Sequence, residues 1–333
     1  MRTKAVAATA LLTLGLTACG AEIAPGRAAS ASAHYPVTVE NCGEKLTFAQ
    51  KPARVVTNDV NITELMLSLG LADRMAGYVM PDDKGRVDQV PWKDGYQQTT
   101  WLSRKVLTKE IALDARADLV FAGWHYGFDE GSRVTPQAFR ALGVGSYVLS
   151  ESCRSGKGSE RGVMDPLDAL YTDLANLGEI FDVKDRADKL IAESRATVAA
   201  VAAVAAAERR PSVFLYDSGQ DKPYTAGRFA AANEIIAKAG GTNIMADVAD
   251  TWVTAGWESV VRRDPEVIVI NDYGTPGAEE KRAFLTSFPP LAGVSAVKND
   301  RIFVMDYVDL VESPRNPAAI STLAGFLRTV PAR

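Results

Sequence analysis

The sequence predicts an α/β protein of two similar lobes with mainly parallel sheets, joined by one long α-helix. Apolar, strand-like runs alternate with helix-like segments in residues 36–162, and the same alternation returns in residues 210–330. Such alternation is typical of parallel sheets whose strands are connected by helices. Residues 163–209 have an almost wholly helical pattern. A ligand cleft is expected between the lobes, beyond the carboxyl ends of their strands.

The N-terminal lobe begins its alternating pattern after the turn at Pro52. A strand is predicted in "RVVT", and the next helix is expected to start near Asn61, which stands in capping-box spacing with Glu64. The later elements predicted in this lobe are a strand in "RMAGYV", a short helix from Glu110 to about Ala115, a strand in "ADLVFAG", a helix in "PQAFRALGVG" and a strand in "SYVLS".

The middle segment contains "DRADKLIAESRATVAAVAAVAAAERR", which is rich in alanine and free of glycine and proline. About 25 helical residues would extend ~38 Å, enough to cross a domain. The strand and helix pattern then resumes. Its predicted elements are a strand in "PSVFLYD", a helix in "RFAAANEIIAKAGG", a short helix in "WESVVRR", a strand in "EVIVIND", a helix in "EKRAFLTSF" and a strand in "RIFVMD".

One helix-to-strand pattern occurs in both lobes, in "KEIALDARADLVF" and in "WESVVRRDPEVIVI". Each copy opens a short helix with a glutamate, Glu110 or Glu258. Each then places an acid eight positions later, Asp118 or Glu266, at the start of an apolar strand. This duplication indicates that the two lobes have the same internal order.

Residues 1–18 have the charged start, short apolar core and small-residue end of a secretory signal peptide. The sequence "LTAC" resembles the bacterial lipobox, which implies cleavage before Cys19 and lipid attachment to it. A plain signal peptide with an incidental cysteine is the alternative. Residues 19–35 are small and polar, as in a flexible tether. We therefore expect an extracytoplasmic protein anchored to the cell membrane by lipid, facing either a periplasm or the open cell surface.

The composition argues against several partners and chemistries. The formal net charge is −4 without a long basic run, so nucleic acid is not expected as a partner. His34 and His125 are the only histidines, too few for a bare transition-metal site, and no bound cofactor is expected. Common nucleophile, phosphate-binding and zinc-protease motifs are absent from the sequence. We predict a binding protein rather than an enzyme, with an exported hydrolase using His125 as the remote alternative.

Two further cysteines, Cys42 and Cys153, lie in the expected exported part of the chain. An oxidising compartment favours a disulfide between them, and two buried free thiols are the alternative.

The candidate cleft residues follow predicted strands, and most are aromatic. Flat rings with polar edges suit a bulky chelate or ring system, although each ring taken alone could equally belong to a core. Aspartates in this set could merely close turns. The set comprises Asn58, Asp59, Trp124, His125, Tyr126, Asp217, Tyr224, Arg228, Trp252, Asp272, Tyr273 and Tyr307, with Trp101 at the rim.

The chain resembles the helical-backbone class of solute-binding proteins of ABC importers, over roughly Val37 to Leu327. The resemblance is carried by "KPARVVTNDVNITELMLSLGLADRMAGY", "EIALDARADLVFAG", "AGGTNI" and "WESVVRRDPEVIVI" together with the lipobox. It implies a monomeric protein that delivers a ferric siderophore, cobalamin or haem to a permease dimer with ATPase subunits. It also implies that Glu110 and Glu258 dock into arginines of the permease. The alternative is that the helix dipole alone favours glutamate there.

Closer similarity, in "FAGWHYGF", "GVGSYVLSESC" and "YDSGQDKPYTAG", is to a branch identified as importers of iron chelates or of a deazaflavin-cofactor precursor. Cys42 and Cys153 match the cysteine pair of that branch. The favoured cargo is therefore a ferric siderophore, with a deazaflavin precursor, a corrinoid or haem as alternatives. Haem would find axial ligands in Tyr126 or His125.

Overall fold

The computed structural model describes residues 34–81, 87–154, 161–205 and 209–331. The predicted signal peptide, the lipidation site Cys19 and the tether up to residue 33 lie outside these described residues. Within the described ranges, no helix combines the length and the apolar character needed to cross a membrane.

The N-terminal lobe contains one mainly parallel sheet, four helices and an antiparallel hairpin. Residues before the third helix, predicted as a loop, form an edge strand at Trp101–Ser103 that pairs with its neighbour. The elements are β1 Val37–Asn41, β2 Glu44–Phe48, β3 Val55–Asn58, α1 Val60–Ser68, β4 Met75–Val79, α2 Lys93–Gln98, β5 Trp101–Ser103, α3 Lys109–Asp114, β6 Leu119–Trp124, β7 Gly127–Phe128, α4 Pro136–Ala141 and β8 Gly145–Val148.

The C-terminal lobe contains a four-stranded parallel sheet and a small antiparallel pair of strands. Its elements are β9 Ser212–Tyr216, β10 Tyr224–Ala226, α7 Ala231–Lys238, β11 Thr242–Asn243, β12 Trp252–Thr254, α8 Trp257–Arg263, β13 Val267–Asp272, α9 Ala278–Ser287, α10 Ser295–Lys298, β14 Ile302–Asp306 and α11 Asn316–Leu327.

The central strands of the two lobes have the same spatial order, which confirms the predicted pair of similar α/β lobes. The order is β4-β3-β6-β8 in one lobe and β11-β9-β13-β14 in the other, and all these neighbours are parallel. β6 and β13 are buried except at their last residue. Both faces of these strands are covered, which explains their continuous apolar sequences.

The later acid of each repeated segment holds the start of the first sheet strand in its lobe. The Asp118 carboxylate accepts hydrogen bonds from the backbone N–H groups of Ala53 and Arg54, at 2.7 and 3.0 Å. The Glu266 carboxylate accepts one from the N–H of Ser212 at 3.1 Å. The second acid of the repeated segment therefore has the same structural role in both lobes.

The segment between the lobes forms two helices, and the second of them is the long alanine-rich helix that the sequence predicts. α5 spans Pro166–Ile180 and α6 spans Lys184–Ala205, separated by a turn in which Asp182 has a φ of 54°. α6 is 22 residues long, or about 33 Å at the usual rise. α5 packs against β1 of the first lobe and α7 of the second, so this more apolar helix bridges the lobes.

The predicted disulfide joins Cys42 to Cys153, which are 111 residues apart in the chain. Cys42 lies in the turn of the β1–β2 hairpin, and Cys153 follows β8. Asn41 strengthens the same junction, because its side chain exchanges two hydrogen bonds of 2.8 Å with the backbone of Val148. The hairpin is thereby fixed against the free edge of the N-terminal sheet.

Candidate ligand cleft between the lobes

An aromatic cluster forms where the carboxyl ends of the two sheets face each other. Tyr126 from the N-terminal lobe packs with Trp252, Tyr273 and Tyr307 from the C-terminal lobe. The rings of Tyr273 and Tyr307 have centroids 4.7 Å apart. Tyr224 extends the cluster toward solvent, since its ring stacks on Trp252 at 5.9 Å and is 38% exposed. Tyr273 and Tyr307 follow β13 and β14, whereas Tyr224 and Trp252 begin β10 and β12, so only the folded protein brings these four residues together.

The hydroxyl of Tyr307 crosses the boundary between the lobes. It donates to the Asp59 carboxylate at 3.3 Å, and Asp59 lies at the end of β3 with a φ of 81°. Burial, followed by the negative charge of Asp59, raises the pKa of Tyr307 well above its usual value. Tyr307 therefore stays a neutral hydrogen-bond donor at physiological pH. Asn58, one residue earlier, is buried and accepts the N–H of Leu107 at 3.2 Å, so it positions a neighbouring loop.

Trp124 does not join the cleft cluster, although it is the last residue of β6 and Tyr126 follows only two positions later. Its ring packs on Phe128, with centroids 6.0 Å apart, and the Arg154 guanidinium lies 4.0 Å from the ring centroid. Both Trp124 and Arg154 line a separate cavity of about 990 Å³ beside the β1–β2 hairpin. The chain turns sharply between the two aromatic residues, where His125 has a φ of 67°.

An arginine that sequence reasoning missed lies beside the cleft. Arg161 donates to the Thr251 hydroxyl at 2.9 Å, and its positive charge lowers the pKa values of Tyr126 and Tyr224 against the dominant effect of burial. Partial burial, followed by the charge of Arg161, lowers the pKa of His125. Arg161 follows no predicted strand and lies a few residues before α5, so the strand-end rule could not find it.

The remaining sequence candidates have contacts within their own lobes. Arg228 is exposed, and its Nε donates to the Ala246 carbonyl at 2.9 Å. Asp217 accepts from the Asn271 amide at 2.6 Å, and Asp272 accepts from the N–H of Ala278 at 3.2 Å. Asp217 therefore links the ends of the neighbouring strands β9 and β13, whereas Asp272 stabilises the turn before α9.

Trp101 lies at the edge of the N-terminal sheet, near the cleft cluster. Its ring stacks on Tyr78 at 5.9 Å, its indole N–H donates to the Met80 carbonyl at 2.9 Å, and the Arg104 guanidinium lies 4.2 Å from the ring centroid. This geometry gives the N-terminal side of the cleft a second aromatic surface with a positive charge above it.

Buried polar contacts join the lobes behind the aromatic cluster, and we call this set the interlobe seam. Asn61 and Glu64, predicted to form a capping box, are buried inside α1 instead, and Asp59 caps the helix. The Asn61 amide donates to the Glu312 carbonyl at 2.9 Å, and Glu64 forms an ion pair with Arg315. Asn61 and Glu64 of α1, and Asp59 just before it, therefore all contact the C-terminal lobe.

A reciprocal pair of hydrogen bonds completes the interlobe seam. The backbone N–H of Glu151 donates to the Glu312 carboxyl at 2.8 Å, and the N–H of Glu312 donates to the Glu151 carboxyl at 3.2 Å. Burial raises the pKa of the Glu151 carboxyl to about 7. Burial, followed by the charges of Asp173 and Glu151, raises the pKa of Glu312 well above its usual value. These carboxyl groups therefore take up protons more readily than exposed ones.

The two glutamates of the repeated segments are exposed in the first turns of α3 and α8. These helices run antiparallel to the strands that follow them, so their N-termini lie at the carboxyl ends of the sheets, as the cleft does. The pKa of Glu110 is lowered by its own backbone N–H and then by the Thr108 hydroxyl, which keeps its carboxylate ionised. Glu258 occupies the equivalent position in α8.

Across the described ranges, no group of three histidine, cysteine, aspartate or glutamate side chains could hold a metal ion. The cleft contacts described above are instead aromatic rings, hydroxyl groups and guanidinium groups.

Residues 55–308 match the model of a family described as periplasmic binding proteins. A curated relative from Bacillus subtilis strain 168, the uncharacterized ABC transporter substrate-binding lipoprotein YvrC, is 23% identical over 330 residues, covering 96% of this chain and 94% of the relative.

Solved structures with the same fold include a periplasmic binding protein from Veillonella parvula DSM 2008, which is 26% identical with a TM-score of 0.75 over 89% of this chain and 98% of that one. A protein of an ABC-type Fe³⁺-hydroxamate transport system from Saccharomonospora viridis DSM 43017 is 24% identical, with a TM-score of 0.73 over 88% and 99% of the two chains. The periplasmic haem-binding protein RhuT from Roseiflexus sp. RS-1 is 24% identical, with a TM-score of 0.67 over 83% and 98%. The chain belongs to the periplasmic binding protein family, whose members are substrate-binding components of transport rather than enzymes.

Proposed function

We propose that this chain is an extracytoplasmic substrate-binding lipoprotein of an ABC importer, and that its cargo is a metal chelate, with a ferric siderophore favoured. Its family membership supports the binding role. The B. subtilis relative is named as an ABC transporter substrate-binding lipoprotein, which supports both the importer and the lipid anchor at Cys19. Relatives of the same fold are described as Fe³⁺-hydroxamate and haem proteins, which supports a bulky metal-containing cargo.

The observation that carries the proposal is the aromatic cluster contributed by both lobes. Tyr126 meets Trp252, Tyr273 and Tyr307 across the cleft, so a ligand inserted there would contact both lobes at once. Aromatic faces bind large organic ligands through apolar contact, and their polar edges can donate hydrogen bonds. A metal enclosed in an organic chelator arrives with its coordination satisfied, so the protein need only recognise the outside of the complex.

The positive charge beside the cleft favours a chelate with acidic or oxygen-rich edges. Arg161 lies close enough to Tyr126, Tyr224 and His125 to influence their ionisation. A guanidinium group presents several N–H donors in a plane and binds carboxylate or similar oxygen pairs well. Arg161 would therefore orient the ligand, while the rings supply most of the contact area.

Delivery to the permease would follow from the exposed glutamates. A lipid at Cys19 would hold the protein at the membrane surface, where its effective concentration near the permease is high. Glu110 and Glu258 would then contact cationic groups on the two halves of the permease dimer. Charged contacts of this kind mainly determine orientation and association rate. ATP hydrolysis by the partner subunits would open the lobes and release the cargo.

Intrinsic tryptophan fluorescence tests the proposal, because Trp252 lies in the cleft cluster and Trp101 at its rim. The protein would be titrated with a ferric trihydroxamate, a ferric catecholate, cobinamide, haem and a deazaflavin phosphate. Saturable quenching by a ferric chelate, and not by its metal-free form, is expected. Quenching only by haem, cobinamide or the deazaflavin would keep the importer role and change the cargo. No response to any of the five would contradict the proposed ligand class.

A further inference from the structure

Two exposed apolar side chains stand one helical turn after the proposed docking glutamates. Leu113 in α3 is 43% exposed and Val261 in α8 is 39% exposed. Each lies three positions after its glutamate, Glu110 or Glu258, and residues at this spacing share one face of a helix. Such exposure is uncommon here, since only seven large apolar side chains of the described ranges are classed as exposed.

The two apolar positions are structurally equivalent in their lobes. The residue before each of them, Ala112 or Val260, is completely buried and anchors the helix to its lobe. Each helix then ends in a turn with a positive φ, 51° at Arg116 and 42° at Asp264. A single exposed leucine needs no explanation, but the same exposure at one duplicated position in both lobes does.

The two helices hold equivalent positions in the topology of their lobes. α3 precedes β6 and α8 precedes β13, and these two strands hold the same place in the two equivalent sheets. The glutamate and the apolar side chain of each lobe therefore form one small amphipathic surface, presented twice. We call these two surfaces the paired docking faces, made of Glu110 with Leu113 and Glu258 with Val261.

We propose that Leu113 and Val261 make apolar contacts with the permease dimer, next to the cationic groups that receive the two glutamates. This inference rests on the proposed function and adds residues to its docking step. The duplication fits a partner that offers two equivalent surfaces, as a homodimer does. A second copy of this chain is disfavoured as the partner, because it would place glutamates against glutamates. Apolar contact would also add affinity that salt does not screen.

Binding to the permease–ATPase complex of this importer, purified in lipid nanodiscs, tests the inference. The double variant Leu113→Ser/Val261→Ser would be compared with wild type and with Leu142→Ser, which alters a 45% exposed leucine at the end of α4. Thermal melting and ligand-induced fluorescence should be unchanged in every variant, since all three positions are on the surface. The double variant is expected to bind the complex about tenfold more weakly, as the partial burial of two aliphatic side chains is lost.

Salt dependence separates the apolar contribution from the charged one. The Leu113→Ser/Val261→Ser variant should weaken binding by the same factor at low and high salt. Glu110→Gln/Glu258→Gln should instead reduce the dependence of binding on salt. Normal binding by the serine variant, together with weak binding by the glutamine variant, would overturn this inference and leave the importer proposal intact. Failure of the wild-type protein to bind the complex would overturn both. A change in self-association of the serine variant would assign the faces to a second copy of the chain instead.

Discussion

At the scale of single residues, the segment "GWHYGF" shows how one turn divides neighbouring aromatic side chains between two surfaces. Tyr126 faces the C-terminal lobe, whereas Trp124 faces the cavity beside the hairpin. Gly127 makes the turn possible, because it has a φ of 112° and a Cβ there would lie 2.8 Å from the Asn58 side chain. The sequence places both rings at one strand end, but only the turn geometry decides which of them reaches the cleft.

Exchange of single arginines tests which positive charge contacts the ligand. Arg161→Gln is expected to weaken binding of a trianionic ferric catecholate about tenfold, because one charge-assisted hydrogen bond is lost. Arg228→Gln is the matched control, since the Arg228 side chain is exposed and bonded to the Ala246 carbonyl. Calorimetric titration of the two variants decides between them. If only Arg228→Gln weakens ligand binding, the ligand contacts Arg228, as the sequence pattern predicted.

The role of a residue could be predicted from the sequence where a single structural rule applies to its position. Because parallel strands end at a common edge, the sequence placed Tyr126, Tyr273 and Tyr307 in one set, and the structure packs them in one cluster. Trp252 joins the same cluster from the start of the antiparallel strand β12. The rule could not detect Arg161, which follows no predicted strand. The capping box predicted at Asn61 was wrong, because the Asn61 side chain instead forms a tertiary contact with the other lobe.

At the scale of elements, the short helices α3 and α8 serve two purposes. Their buried faces attach them to their sheets, and the acids that follow them hold the first sheet strand in place. Their exposed faces carry the glutamates. The helix boundaries predicted from the sequence agree with the structure for α8 and differ by one residue for α3. The long helix predicted in the alanine-rich segment corresponds to α6, which packs back against α5.

Removal of the two exposed carboxylates tests the proposed role of α3 and α8 in delivery. Glu110→Ala/Glu258→Ala is expected to abolish cellular uptake of the ligand while its affinity in solution stays the same. The reason is that both side chains are exposed on the surface and lie outside the aromatic cluster. Uptake of radioactive iron chelate and fluorescence titration provide the two measurements. An equal loss of affinity would mean that these glutamates contact the ligand.

At the scale of the whole molecule, the interlobe seam limits how far the lobes can separate. Asp59, Asn61 and Glu64 of the N-terminal lobe contact Tyr307, Glu312 and Arg315 of the other lobe. Opening the lobes at this seam would leave buried carboxyl groups without their hydrogen-bond donors, at a cost of a few kcal/mol each. Movement of the lobes is therefore expected to be small, as the resemblance to the helical-backbone class implies.

The seam predicts how stability depends on pH. Glu151 has a folded-state pKa of about 7, against an ordinary value of 4.5. A carboxyl group whose pKa is raised by folding stabilises the protein below its unfolded pKa and loses that contribution as pH rises through the folded value. The contribution of Glu151 to the free energy of unfolding should thus fall between pH 4.5 and about 7, by on the order of 3 kcal/mol.

Urea unfolding of wild type and Glu151→Gln at several pH values measures this effect. The glutamine variant keeps the shape of the side chain but cannot titrate, so its stability should vary less with pH over this window. Glu258→Gln is the control for loss of an exposed carboxyl group outside the interlobe seam. Identical profiles for Glu151→Gln and wild type would show that the Glu151 carboxyl does not titrate differently in the folded protein.

Affinity for a ferric trihydroxamate, measured by calorimetry in Trp252→Ala and Trp124→Ala, tests the central claim most directly. Both variants remove one half-buried tryptophan, but only Trp252 belongs to the cluster between the lobes. Trp252→Ala is expected to weaken binding about tenfold to a hundredfold, while Trp124→Ala binds as wild type does. Thermal melting would confirm that both variants fold. Loss of binding in Trp124→Ala alone would place the ligand in the N-terminal cavity and contradict a cleft between the lobes.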